Sequence, residues 1–123
     1  MQFISTRGQV PPTPIDVALV AGLAPDGGLY VPTHFPAIDF SGPAPSLAAT
    51  AARTLAPYFA GSALRDRLDA ICADAFSFDA PLRRLAGPGD HVLELFHGPT
   101  AAFKDYAARF LARALEGLRD PSA

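Results

Sequence analysis

The residue with the clearest chemical potential is Lys104, which lies in the segment FHGPTAAFKD at positions 96–105. It is the only lysine in the chain, and the other nine Lys/Arg positions are arginines. Arginine stays protonated at any ordinary pH, but lysine can lose its proton and act as a nucleophile. A neutral amine condenses with an aldehyde to form a Schiff base. Lys104 is therefore a candidate for covalent chemistry with a carbonyl compound.

The sequence around Lys104 predicts a strand, a tight turn and a helix in that order. Residues 91–96 have the pattern of a half-buried strand, and residues 97–99 are predicted to form the turn. Thr100 is predicted to cap a long helix, because apolar side chains then recur at the spacing of one helical face. In α/β folds, ligands bind where strands end, which is where this turn lies.

Lys104 falls in the first turn of that helix, where the partial positive charge disfavours a second cation and favours the neutral amine. Asp105 suits the same charge and is predicted to orient the site, and Phe103 is predicted to pack near a cofactor ring. Spacing alone also fits ordinary roles: a solvated Lys104, a core Phe103, and His97 as a cap of the turn.

The first 45 residues predict a small sheet and one helix. Strands are predicted at 2–5 and 29–31, with a glycine turn at 24–28 before the second. Thr13 is predicted to cap the helix with Pro14 as its first residue, and Gly22 to end it. Residues 32–45 hold four prolines and are predicted to form a surface loop.

Two further helices are predicted to begin at Ser46 and Ser62, because each serine precedes an apolar helical stripe. Pro57 lies inside the first stripe and is predicted to kink the helix or end it. A strand is predicted at 82–85, followed by a turn at 87–90.

These elements together predict an α/β fold. The change of pattern near Asp79 divides the chain into a small N-terminal α/β domain, residues 1–79, and the start of a second domain, residues 80–123.

Composition narrows the class of protein further. The net charge is −2 with no basic cluster, so we predict no nucleic-acid or anionic-membrane partner. No apolar run approaches the roughly 20 residues of a membrane helix, and the N-terminus lacks a secretory signal pattern. The only cysteine, Cys72, fits a reducing compartment, so we predict a cytoplasmic protein, and we predict no metal site.

Residues 93–105, LELFHGPTAAFKD, resemble the signature of threonine synthases, in which the lysine of Phe-Lys-Asp carries pyridoxal 5′-phosphate (PLP). Ala101 departs from the pattern, because many members have leucine there. Residues 4–8 and 22–32 are similar to the amino-terminal domain of the same family. The matches lie at opposite ends of the chain, so the resemblance covers essentially all of it.

The resemblance implies a small N-terminal domain followed by a tryptophan-synthase-β-like domain, fold type II of the PLP enzymes. It implies that Lys104 carries PLP and shuttles protons while O-phosphohomoserine and water become threonine and phosphate. Phe103 and Asp105 are predicted to contact the cofactor. Ser5, Thr6 and Arg7 are predicted to line the substrate pocket or its rim, and a structural surface charge is the alternative role for Arg7.

Family members run to several hundred residues, and the glycine-rich loop expected to cradle the PLP phosphate is missing from these 123 residues. We therefore expect an N-terminal fragment that binds PLP weakly and does not turn over by itself. The long helix from Thr100 would then lack the sheet it should cover, which is expected to favour self-association.

Three other interpretations stay open at this point: another fold type II lyase such as a threonine dehydratase or cysteine synthase, a non-catalytic module that keeps the fold, and an assembly fragment. The N-terminal matches at 5–8 and 24–31 argue against the first. The presence of Lys104 argues against the second, because a degenerate copy is expected to lose that lysine.

Overall fold

The computed structural model describes residues 1–43 and 45–119. Ala44, in the predicted loop 32–45, and Asp120–Ala123, in the predicted second domain, lie outside the described residues. Strands and helices occur together along the described chain, which confirms the α/β prediction. The elements are β1 (Gln2–Ser5), β2 (Thr13–Pro14), α1 (Ile15–Ala21), β3 (Tyr30–Pro32), α2 (Leu47–Phe59), a 3-10 turn (Arg65–Arg67), α3 (Leu68–Ala75), β4 (Leu82–Arg84), β5 (His91–Leu93) and α4 (Lys104–Arg119).

The first three strands form an antiparallel sheet in the order β2-β1-β3. Phe3 in the central strand lies opposite Thr13 on one side and Pro32 on the other, which fixes the register. β1 has the bounds that the sequence predicts. β3 begins one residue later than predicted, because Leu29 instead forms an isolated bridge with Leu23.

Helix α1 follows β2 without a linker, and Pro14 is its N-cap in an extended conformation. The prediction that Thr13 caps this helix is wrong, because Thr13 and Pro14 pair with β1 instead. Gly22 ends the helix as predicted, and its φ of 72° is a conformation that glycine adopts without strain.

Helix α2 starts after Ser46, where the sequence predicts a helix, and Ser46 is its N-cap, since its side-chain oxygen accepts a hydrogen bond from Ala49 N at 3.1 Å. Pro57 lies inside the helix, which continues to Phe59, so the predicted end before Pro57 is wrong. A proline removes only one backbone hydrogen bond here, near the last turn. The burial of Phe59, which is 2% exposed, favours continuing the helix into the core.

The segment after α2 begins at Ser62 but does not become an α-helix at once. The Ser62 hydroxyl donates to the Asp16 carboxylate on α1 and accepts from Leu64 N at 2.9 Å. The 3-10 turn follows, and α3 starts only at Leu68. The prediction that Ser62 caps this helix is therefore wrong, and Ser62 instead ties the segment to α1.

The core is shared by all four α-helices. Its buried members are Ile15, Phe59, Leu64, Leu68, Ile71, Cys72 and Ala114. Phe110 of α4 meets the Phe59 ring edge-on at 5.9 Å between centroids and stacks on Phe76 at 6.1 Å. In the described residues, the last helix thus packs into the same core as the first three. The domain boundary near Asp79 stays a prediction.

Strands β4 and β5 form an antiparallel hairpin with Leu82 opposite Leu93 and Arg84 opposite His91. Both strands are shorter than the predicted ranges 82–85 and 91–96. Beyond Leu93 the pairing reduces to one bond, from Glu94 N to Pro81 O at 2.9 Å. None of the helices in the described ranges has the length and apolar character needed to cross a bilayer.

Candidate functional site

Lys104 is the first residue of α4, and its side chain is exposed. Phe103, directly before it, is 66% exposed and is therefore not a core residue. Within the described residues, no carboxylate forms an ion pair with the Lys104 amine. The amine is accessible to a carbonyl compound, with an aromatic side chain next to it in sequence.

The turn before Lys104 is held by backbone bonds and contains one unusual residue. Ala101 N donates to Gly98 O at 3.0 Å, and Asp105 N donates to Ala102 O at 3.0 Å. Ala101 has a φ of 54°, in the left-handed region that non-glycine residues rarely adopt. The turn therefore keeps the chain out of helical geometry until Lys104.

Asp105 is buried, with 7% of its surface exposed, although the neighbouring Lys104 is in solvent. Its Oδ2 accepts from Thr100 N at 2.8 Å, and its Oδ1 accepts from the Thr100 hydroxyl at 2.6 Å. We call this pair of bonds the Thr100–Asp105 clamp. The bond from the Thr100 hydroxyl, aided by backbone N–H donors, holds the pKa of the Asp105 carboxyl below its ordinary value.

The clamp overturns one prediction about the helix start. Thr100 does not cap α4, because its hydroxyl donates to Asp105 and because the helix begins only at Lys104. Sequence reasoning assigned Asp105 to the cofactor and missed this partner. The sequence carried no signal for this pair, since a threonine and a carboxylate five residues apart match no standard capping pattern.

Contacts with the segment after α3 anchor the first turns of α4. The Tyr106 hydroxyl donates to Asp79 O at 2.8 Å, and the Tyr106 ring meets Phe78 edge-on at 4.9 Å. Arg109 Nε donates to Ala75 O at 3.0 Å, a carbonyl at the end of α3. The helix that presents Lys104 is thereby fixed against the rest of the fold.

His97 precedes the turn and pairs with an acidic side chain rather than capping the turn through its ring. His97 Nε2 and Glu94 Oε2 lie 2.7 Å apart, and Glu94 Oε1 lies 3.4 Å from Arg83 Nε on β4. The His97 ring also stacks against Phe96 at 4.7 Å. Glu94 was not singled out from the sequence, although its spacing of three residues from His97 was a signal for such a pair.

The predicted substrate residues Ser5, Thr6 and Arg7 all contact the turn before β3. The Ser5 hydroxyl donates to Asp26 Oδ1 at 2.7 Å, and Thr6 Oγ1 accepts from Leu29 N at 3.0 Å. Arg7 Nη1 donates to Asp26 O at 3.0 Å. Arg7 is exposed, whereas Ser5 is buried and uses its hydroxyl within the fold.

Asp26 organises this N-terminal turn. Besides the Ser5 hydroxyl, its carboxylate accepts from Gly28 N at 2.9 Å and from Gln9 N at 3.1 Å. The bond from Ser5, with these backbone bonds and the nearby charge of Arg7, lowers the pKa of Asp26 below its ordinary value. Sequence reasoning identified the turn but not the role of Asp26 within it.

The structure does not bring the two predicted groups of site residues together through any described hydrogen bond. Lys104 begins α4, whereas α1 contacts the other end of that helix, where Val17 and Leu118 line one groove. Lys104 precedes Leu118 by fourteen residues, which corresponds to about 21 Å along the axis of α4. In the described parts of the chain, no three or more metal-ligating side chains gather in one place.

Lys104 and Phe103 fit an aldehyde cofactor such as PLP on two observations. Lys104 offers an exposed amine without an ion-pair partner in the described chain, and Phe103 offers an exposed ring beside it. Both oxygens of Asp105 are already bonded to Thr100, so its carboxylate faces the turn.

Comparison with known proteins identifies relatives along the whole chain. A family profile described as "Threonine synthase N terminus" matches residues 2–76. A threonine synthase of Pseudomonas aeruginosa is 43% identical over 125 aligned residues, covering 94% of this chain and 26% of that protein. The human protein named threonine synthase-like 2 is 38% identical over 119 residues, covering 85% of this chain and 24% of that protein.

Solved structures give the same result. A PLP-bound threonine synthase from Brucella melitensis superimposes with a TM-score of 0.85 and 35% identity, over 96% of this chain and 27% of that one. Threonine synthase from Escherichia coli gives a TM-score of 0.82 and 26% identity over 96% of this chain and 28% of that one. The chain thus spans about a quarter of the length of the relatives it matches.

Proposed function

Because the chain belongs to the threonine synthase family, we propose that it is the N-terminal part of a PLP-dependent threonine synthase that converts O-phosphohomoserine and water to threonine and phosphate. The observation that carries the proposal is Lys104 itself: an exposed amine, free of ion pairs in the described chain, at the start of a helix in the segment FHGPTAAFKD. We assign Lys104 as the lysine that binds PLP.

When bound, PLP supplies an electron sink for negative charge that develops on a substrate carbon. The contribution of the chain is to hold the amine and to move protons. Lys104 Nζ is a base when it is neutral and an acid when it is protonated, so it can take a proton from a substrate carbon and return it elsewhere. Its mobile four-carbon side chain gives the amine the reach for both transfers.

The neighbouring residues have supporting roles in this proposal. Phe103 provides an apolar face near the cofactor ring, and the clamp holds the Asp105 carboxylate against Thr100. Arg7 is the member of the N-terminal group that keeps an exposed guanidinium, which suits a phosphate or carboxylate at the rim of the substrate pocket. Ser5 and Thr6 act there by holding the Arg7 segment in place.

The proposal extends to the organisation of the parent protein. Residues 1–79 form its N-terminal domain, residues 80–123 begin its catalytic domain, and the enzyme acts in the cytoplasm. The 123 residues by themselves are expected to be inactive, because the relatives named threonine synthase are about four times as long.

The decisive experiment traps PLP on the full-length enzyme with borohydride and locates the modified peptide by mass spectrometry. We expect the adduct on the peptide that contains Phe103, Lys104 and Asp105, and no adduct there in Lys104→Arg, which keeps the charge but cannot form the Schiff base. An adduct at another lysine, or none, would contradict the assignment.

A second candidate function is a threonine-synthase-like protein without this reaction, which the similarity to threonine synthase-like 2 favours. Phosphate release separates the two candidates. The proposed enzyme releases phosphate from O-phosphohomoserine and loses that activity in Lys104→Arg. A protein that traps PLP on Lys104 but releases no phosphate belongs to the second class.

A further inference from the structure

We propose that Asp105 is a positioning residue: through the Thr100–Asp105 clamp it sets the geometry of the turn that places Lys104 at the first position of α4. This inference rests on the proposed function, because it concerns the lysine assigned to PLP. It gives Asp105 a role in binding that requires no contact with the cofactor.

The two bonds of the clamp join opposite ends of the turn. Thr100 lies at its beginning and Asp105 just after Lys104, and the two bonds are 2.8 and 2.6 Å long. One uses the backbone N–H of Thr100 and the other its hydroxyl, so both the position and the orientation of Thr100 are specified. Hydrogen bonds to an ionised acceptor are about twice as strong as neutral ones.

The packing of Gly98 shows how closely the turn follows the Asp105 side chain. A Cβ atom added at Gly98 would lie 2.5 Å from Asp105 Oδ2 and 2.6 Å from Asp105 Cβ. Since both carboxylate oxygens bond to Thr100, moving the carboxylate aside would break the clamp. The backbone at position 98 therefore rests directly on Asp105.

The clamp also explains the strained residue in the turn. Ala101 lies between the two clamped residues with a φ of 54°. An L-residue in the left-handed region persists only where its surroundings determine it. Without the clamp, we expect residues 101–103 to enter the helical region, which would begin α4 earlier and leave Lys104 inside the helix instead of at its first position.

Asp105→Asn is the sharpest test, because it keeps the shape of the side chain and replaces one acceptor by an NH2 donor. That donor would face the Thr100 hydroxyl, whose oxygen can accept from it, so the bonds to an ionised acceptor are replaced by weaker neutral ones. Thr100→Val removes the hydroxyl at similar volume, and Thr100→Ser restores it. Asp39→Asn is the matched control, since Asp39 is another loop carboxylate of lowered pKa, which accepts from Ser41 N at 2.8 Å and bonds to neither Thr100 nor Lys104 in the described residues.

Two readouts separate the clamp from the proposed function. In the 123-residue chain, amide hydrogen exchange of Thr100 and Ala101 reports the turn without cofactor. We expect exchange about tenfold or more faster in Asp105→Asn, unchanged exchange in Asp39→Asn, and near-native exchange in Thr100→Ser. Unchanged exchange in Asp105→Asn would overturn the clamp.

In the full-length enzyme, PLP affinity and the yield of borohydride-trapped adduct at Lys104 report the positioning. We expect PLP affinity about tenfold or more weaker in Asp105→Asn and Thr100→Val, with recovery in Thr100→Ser and no change in Asp39→Asn. Native affinity and native adduct yield in Asp105→Asn would overturn the positioning role. If the unsubstituted enzyme forms no adduct at Lys104, the proposed function fails, and the exchange measurement still decides on the clamp.

Discussion

At the scale of single residues, sequence reasoning singled out Lys104 as the candidate for covalent chemistry but missed the hydrogen bonds that hold the turn before it. The only lysine in an arginine-rich chain, placed after a tight turn, was sufficient to single out Lys104. The partner of Asp105 was not predictable from local rules, because the clamp requires Ala101 in a left-handed conformation. Alanine disfavours that conformation, which tertiary context imposes here.

Cys72 provides a prediction at the same scale. Its thiol is fully buried, and burial, with a smaller effect of Asp69, raises its pKa from 9.0 to about 11. We expect the thiolate fraction at pH 8 to be about a hundredfold lower than in the unfolded chain. Labelling with a thiol reagent at that pH should therefore be slow in native protein and fast in denaturant. Fast labelling without denaturant would contradict the burial of Cys72.

At the scale of elements, the stripe of α3 was predictable because its apolar spacing coincides with the burial of Leu68, Ile71, Cys72 and Ala75, whereas Val17 and Val20 of the apolar face predicted for α1 are exposed. The start of α2 at Ser46 was predictable because its cap is local: the Ser46 side chain accepts from Ala49 N of the same helix. Thr13 and Ser62 failed as caps because long-range partners compete for them: Thr13 pairs with β1, and Ser62 bonds to Asp16 on α1. Local propensity could not predict those contacts, since each depends on how distant elements pack.

The turn before α4 gives a prediction for one element. Ala101→Gly should relieve the left-handed strain at that position. The larger conformational entropy of glycine in the unfolded chain offsets part of this stabilisation. We expect the free energy of unfolding to rise by up to about 1 kcal/mol, measured by urea denaturation. Ala102→Gly is the control and should be destabilising, because Ala102 is not among the residues with positive φ. A loss of stability in Ala101→Gly would contradict the turn geometry.

At the scale of the whole molecule, α4 joins the N-terminal elements in one core. Ala114 is fully buried beneath the other helices, so residues 104–119 contribute to the stability of the first 79. The sequence predicted two units because the pattern changes near Asp79, and amphipathic spacing indicates that a helix has a buried face without showing what covers it. The partner of that face was therefore accessible only from the structure.

Acid sensitivity is a property of the whole molecule that follows from its turns. Asp26 and Asp105 have pKa values below the ordinary one, so folding favours their ionised forms. Their stabilising contribution is fully present above the unfolded-chain pKa of about 3.9 and is lost as pH falls through the lower pKa of the folded state. The urea midpoint should thus fall between about pH 5 and pH 2. The double variant Asp26→Asn, Asp105→Asn should have a smaller slope, and an unchanged slope would contradict the two pKa shifts.

The hairpin of β4 and β5 has a consequence for how the chain behaves at high concentration. In the described residues it is a sheet of only two strands, so each strand has one free edge, and Leu82, Val92 and Leu93 are exposed on it. Unpaired edges of this kind are templates for strand addition by other chains, which is a route to aggregation. Arg83 and Arg84 lie in the same strand as Leu82 and place positive charge where another chain would add. The two arginines are therefore expected to oppose strand addition by charge repulsion, and neutralising them should convert a dispersed protein into a β-rich precipitate.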